Sequence, residues 1–91
     1  VKKNIRVEVT QEDIDEGVRR ASYKCMMARA IARTVNRVVM VTARSAAIDE
    51  PMGGSATKRL WYELTDTAIR RLKAFDDGEP VKPFVTIIRG I

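Results

Sequence analysis

The apolar residues of this chain change period four times, from two to the helical repeat and back and then once more each way, and that switching limits its possible folds more than any other feature. Ile5, Val7 and Val9 alternate with Arg6 and Glu8, the pattern of a strand with one buried face, which predicts a first strand from about Asn4 to Val9. Thr10 precedes Gln11, Glu12 and Asp13, where a hydroxyl caps a first turn and acids favour the positive end of the helix dipole. A short helix is expected there, with Gly17 ending it in the left-handed conformation. Ser22 is expected to cap a longer helix whose apolar stripe is Tyr23, Met27, Ala30, Ile31 and Val35, reaching about Thr34 to Arg37.

Val38-Val39-Met40-Val41 is apolar on both faces, which suits a central strand. Ser45 to Ile48 reads as a further short strand, and Asp49 to Ser55 has the composition of an exposed hairpin loop. From Lys58 the period returns to two, with Leu60, Tyr62 and Leu64 on one face and Arg59, Trp61 and Glu63 on the other. Thr65 is placed to cap a third helix with Ala68, Ile69, Leu72 and Phe75 on its apolar side, and Asp77-Gly78 to end it. Phe84 to Ile88 reads as a last strand inside the sheet. The expectation is a single basic α+β domain over residues 1–91: one layer pair, a largely antiparallel sheet of four to five strands and about three helices, in the order β-α-α-β-β-β-α-β.

Ninety-one residues are enough for one core. No apolar run approaches the roughly 18 residues of a membrane span, and Val1-Lys2-Lys3-Asn4 leads into alternating residues rather than the apolar stretch of a signal peptide. Cys25 is the only cysteine and histidine is absent, which excludes an intramolecular disulfide and a thiolate zinc cluster and removes the usual general base and the commonest metal ligand. The expectation is a binding protein without cofactor or metal, not an enzyme. Gly53-Gly54 lacks the lysine and the context of a phosphate-binding loop.

The formal net charge is +5, and its distribution is uneven: between Gly17 and Ile48 lie seven basic residues and no acid, directly after the cluster Glu12, Asp13, Asp15 and Glu16. A localised positive field attracts phosphate backbones or acidic protein surfaces. Arg19, Arg20 and Lys24 lead this segment. Arg29, Arg33 and Arg37 follow at intervals of four, forming on a helix a stripe about 12 Å long whose guanidinium groups suit phosphate or carboxylate. A solvated helix face is the plainer reading of the same residues. Arg59 and Trp61 on an outward strand face offer a partner anchor, unless a helix covers the indole. Cys25, Met26 and Met27 read as core. Five aromatic residues, most of them needed inside, leave few for stacking on bases.

Two stretches carry a resemblance: Val9-Thr10-Gln11-Glu12-Asp13-Ile14-Asp15-Glu16-Gly17-Val18-Arg19-Arg20 with Cys25, and Phe75-Asp76-Asp77-Gly78-Glu79-Pro80-Val81-Lys82-Pro83-Phe84. Together they cover about a quarter of the chain and resemble boxes of small bacteriophage-encoded proteins, most of unknown function. Those relatives carry a cysteine pair followed by proline; Ser22 and Met26 depart from it, which takes away a metal or redox role. In size, charge and phage-like character the chain also resembles anti-CRISPR proteins, inhibitors of type I-F surveillance complexes. What this class resemblance implies is a non-catalytic inhibitor in the host cell cytoplasm, monomeric when free, whose basic surface meets guide RNA backbone or Cas subunits and blocks target DNA binding. A small DNA-binding phage regulator, with the Ser22 to Arg37 helix in a major groove, and a phage structural or assembly protein remain the alternatives.

Overall fold

A computed structural model describes residues 4–91; Val1-Lys2-Lys3, part of the terminal segment discussed above, lies outside the described residues. The elements are β1 (Ile5–Val9), α1 (Gln11–Glu16), α2 (Met26–Val35), β2 (Val39–Val41), β3 (Ser45–Pro51), β4 (Thr57–Glu63), α3 (Asp66–Asp76) and β5 (Phe84–Gly90). They form an α+β fold in the expected order. The sheet is antiparallel throughout, with strand order β1-β5-β4-β3-β2.

The strands follow the period of two except in β3, where Ala46, Ala47 and Ile48 are all buried. Val7, Val9, Val39, Val41, Ala46, Ile48, Tyr62 and Ile88 face inward and are buried with Met26, Met27, Ala30 and Ile31 of α2 and Ala68, Leu72 and Phe75 of α3. α2 lies across β1 and β2 and touches α1 and α3. All three helices thus serve one face of the sheet.

β5 is an inner strand, but its ladder with β4 has only two pairs, Tyr62 with Gly90 and Glu63 with Arg89. β4 leaves this ladder after Glu63, and its residues 57–60 pair with β3 alone, so the β3–β4 hairpin extends past β5 around the turn at 52–56. The molecule is accordingly elongated, 41 × 22 × 18 Å. Pro51 closes β3 past the last residue that pairs with β2, where a missing N–H costs no ladder bond.

Four expectations are corrected. β2 is an edge strand, not a central one: Val38 lies outside it and is exposed, Val39 and Val41 face the core, and the Ser22 carbonyl covers the edge by accepting from Val41 N–H at 2.8 Å. α2 starts at Met26 with Cys25 as its cap, because the chain first closes a tight turn in which the amides of Lys24 and Cys25 both donate to Ala21 C=O. Tyr23 therefore stands in the turn, exposed, instead of on the helix stripe. Residues 49–51, read as loop, extend β3. Gly17 ends α1 in extended conformation, φ −69°, so its lack of a side chain answers to packing and not to backbone handedness.

Cys25 is 3% exposed and its Sγ accepts from Ala28 N–H at 3.4 Å; burial pushes the thiol pKa up, so the group is a neutral cap. A serine hydroxyl caps at least as well and is smaller. Cys25→Ser is expected to shift stability by less than about 1 kcal/mol, as read from urea unfolding. A larger loss would mean that sulfur packing, not capping, holds this corner.

Candidate binding surface

Thr10 and Asp13 form a reciprocal capping box at the start of α1: Asp13 N–H donates to Thr10 Oγ1 at 3.2 Å, and Thr10 N–H donates to Asp13 Oδ2 at 3.0 Å. This places the Asp13 carboxylate between α1 and α2 with no exposure to solvent. Its second oxygen accepts from Arg33 Nη1 at 2.6 Å, while Arg33 Nη2 donates to the Glu8 carbonyl at 2.8 Å on the edge of β1. Arg29 stands beside the same carboxylate, Nε to Asp13 Oδ1 at 3.7 Å, and reaches Glu12 at 3.6 Å. Burial alone would push the Asp13 pKa up; the Arg33 and Thr10 hydrogen bonds outweigh it and hold the carboxyl below its usual range.

This geometry changes the meaning of the basic segment. The acids that precede it in sequence fold onto it, so Arg29 and Arg33 spend their charge on α1. The stripe also ends early: Asn36 takes a left-handed conformation after Val35, and Arg37, beyond the helix, donates to Asn36 C=O at 3.0 Å.

Arg19 and Arg20 lie against the end of α3. Arg20 N–H donates to Asp76 Oδ1 at 2.9 Å and its guanidinium is 3.7 Å from Asp77, which Lys73 also holds at 2.7 Å; Arg19 lies over Gly78. Lys24 is exposed in the turn before α2. Arg59, on the projecting hairpin, is paired with Asp49 at 3.1 Å, and Tyr23 lies near enough to act on the same guanidinium. The eight residues singled out from sequence are therefore scattered rather than gathered into one stripe, and Arg20, Arg29, Arg33 and Arg59 among them each have a carboxylate partner.

The outer face of the sheet is a different surface. Only the start of α3 reaches its margin among the described residues, at Thr67, and Trp61, Val85, Ile87 and Ile91 are 38%, 49%, 45% and 68% exposed. Of the named residues, Arg59 and Trp61 belong here, so the indole lies under no helix. Trp61, Ala47 and Met40 form one cross-strand row, and Ala47 is almost fully buried beneath its neighbours. Ile91 N–H donates to the Trp61 carbonyl at 3.2 Å, carrying the row to the end of β5.

Two arginines that sequence reasoning passed over join this face. Arg6 on β1 is opposite Ile87, and Arg89 on β5 is opposite Glu63. Neither has a carboxylate within ion-pair distance among the described residues. Both line a groove that Val85, Ile87 and Thr67 share and to which no acid contributes. Their alternation with buried valine and isoleucine was a usable signal for outward direction; that they meet depends on β1 pairing with β5. Among the described residues no group of three or more His, Cys, Asp or Glu side chains is arranged to hold a metal ion. Comparison of the chain with protein-family models, with curated proteins and with solved structures finds no match.

Proposed function

We propose that this chain is a non-catalytic binding protein that acts on a nucleoprotein partner, and that the partner to test first, given the resemblance described above, is a bacterial CRISPR-Cas surveillance complex. The observation that carries the reading is the outer sheet face, where Val85, Ile87, Ile91 and part of the Trp61 indole are exposed beside Arg6 and Arg89, which have no carboxylate within ion-pair distance among the described residues. Contiguous apolar surface left open on a small domain marks an interaction site, and Trp with Arg is the composition of interface anchors.

Nothing favours the reading as a DNA regulator. α2, the helix that would enter a groove, is buried along Met26, Met27, Ala30 and Ile31, and its arginines Arg29 and Arg33 are engaged by Asp13. A recognition helix needs its polar face free for base edges.

The test is co-elution of the purified protein with a reconstituted type I-F surveillance complex, followed by target DNA binding by that complex. The expected result is a stable assembly that no longer takes up target DNA. A protein that elutes apart from the complex and leaves DNA binding unchanged would remove the inhibitor reading.

A further inference from the structure

We infer that the outer sheet face pairs with the same face of a second copy of this chain, about a two-fold axis along the β4–β5 ladder, with Arg89 of each copy on Glu63 of the other. This pairing rests on the reading of the face as an interaction surface and adds its regulation: in the free protein a second copy closes the face.

Charge selects the occupant. The face carries Arg6 and Glu8 on β1, Arg89 on β5 and Glu63 on β4, so these side chains sum to zero on a chain whose formal net charge is +5. A phosphate backbone or a uniformly acidic surface would be drawn by the arginines and repelled by the glutamates beside them. Two copies of a basic chain repel where their basic surfaces meet, but this face lacks the excess charge and holds both signs, which a self-complementary contact requires. None of the four side chains has an ion-pair partner among the described residues. The sheet edges offer less: the Ser22 carbonyl covers β2, and Arg33 occupies the Glu8 carbonyl on the open side of β1.

Register sets the axis. Glu63 and Arg89 stand directly opposite in the ladder without forming an ion pair, and Arg89 alternates with the exposed Ile87 and Ile91. A two-fold axis parallel to the strands and midway between β4 and β5 exchanges the two columns of side chains, so Arg89 faces Glu63 of the second copy and Glu63 faces its Arg89. Sheets stacked face to face lie about 10 Å apart, a gap that arginine and glutamate span together. Ile87 and Ile91 fill it on either side.

The experiment is sedimentation equilibrium of the intact protein alone, from about 10 μM to about 1 mM, where a small interface of this kind dissociates. The parent is expected to pass from monomer to dimer mass over that range. Arg89→Glu and Glu63→Arg should each weaken the dimer by more than about tenfold, because each sets two like-charge pairs across the axis. An equimolar mixture of the two variants should dimerise again, since every contact across the axis then joins opposite charges, and the double variant should dimerise like the parent. Lys24→Glu, which changes net charge as Arg89→Glu does but lies in the turn before α2, should not weaken it. Urea unfolding of each variant separates loss of the contact from loss of the fold, since like charges opposite each other in one ladder also destabilise the sheet.

The monomer that the class resemblance implies is the opposing outcome: a parent that stays monomeric throughout this range overturns the inference and leaves co-elution with the surveillance complex untouched. A dimer indifferent to both charge reversals, or folded single variants that do not recover on mixing, places the contact elsewhere and overturns it too. If the dimer behaves as described while no surveillance complex is engaged, the pairing stands and the choice of partner falls.

Discussion

Arg33→Ala is expected to destabilise the protein by about 3 kcal/mol at neutral pH, seen as a lower urea midpoint with an unchanged slope. The residue closes a hydrogen bond of 2.6 Å on a carboxylate that solvent does not reach, and its other nitrogen satisfies the Glu8 carbonyl on the open side of β1. Removing one partner of a buried pair leaves a charge that neither water nor protein compensates, a loss of about 3–5 kcal/mol. The low end applies because Arg33 is itself half exposed and Arg29 remains at 3.7 Å, an ion-pair distance too long for a hydrogen bond. Arg33→Ala combined with Asp13→Asn should recover much of the loss, since the amide keeps an acceptor for the Thr10 cap and carries no charge.

The pH dependence has a definite sign. In the parent the Asp13 pKa is lowered on folding, so the carboxylate's contribution is complete above its unfolded value, about 4, and is lost as pH falls through the folded value. Without Arg33, burial dominates and the folded pKa rises above the unfolded one. Stability of the variant is then greatest when the group is protonated and declines as pH rises. The gap between parent and variant should consequently narrow between pH 7 and pH 4. A gap that stays constant over this range would show that Asp13 is not the group Arg33 serves.

That pair also marks the boundary of what the sequence conveys. The strand faces, the Thr65 cap, the stop at Gly78 and the α+β order follow from periodicity and from local capping chemistry, both of which act over a few residues. Asp13 and Arg33 are twenty positions apart, and Arg59 meets Asp49 only across a hairpin. Charge counted along the chain therefore made a long basic patch out of residues that, once folded, neutralise the acids beside them. The strand order is nonlocal in the same way. Val38 to Val41 has the apolar content of a central strand, yet an edge position satisfies it because Ser22 covers one side and the Met40–Ala47–Trp61 row shields the other face. Arg6 and Arg89 are readable singly as outward residues, but they come to line one groove only through the pairing of the first and last strands.

Gly17→Ala is the second substitution with a large expected effect, and here two physical arguments oppose each other in sign. The backbone of Gly17, φ −69° and ψ 149°, is open to any residue, and on conformational entropy alone alanine would stabilise by about 0.4–1 kcal/mol. Space decides otherwise. A β-carbon would stand 2.6 Å from Asp13 O, 2.8 Å from Met26 N and 3.0 Å from the tip of the Phe75 ring. The first two are backbone atoms of α1 and α2, which cannot yield without separating the helices that hold Asp13 beside Arg33. Overpacking of this kind costs about 1–3 kcal/mol, and the upper end is expected because the obstacles are not side chains that can swing away. Gly78, by contrast, has φ +79° but meets only the flexible Arg19 side chain, and Gly54, at φ +57°, meets nothing. Alanine at either should cost about 1–2 kcal/mol of left-handed strain. Urea unfolding of the three variants is expected to rank Gly17→Ala as the most damaging, although Gly17 alone has an ordinary backbone. If Gly17→Ala proves neutral or stabilising, the junction of α1 and α2 is looser than described, and the close approach that buries Asp13 would have to be abandoned with it.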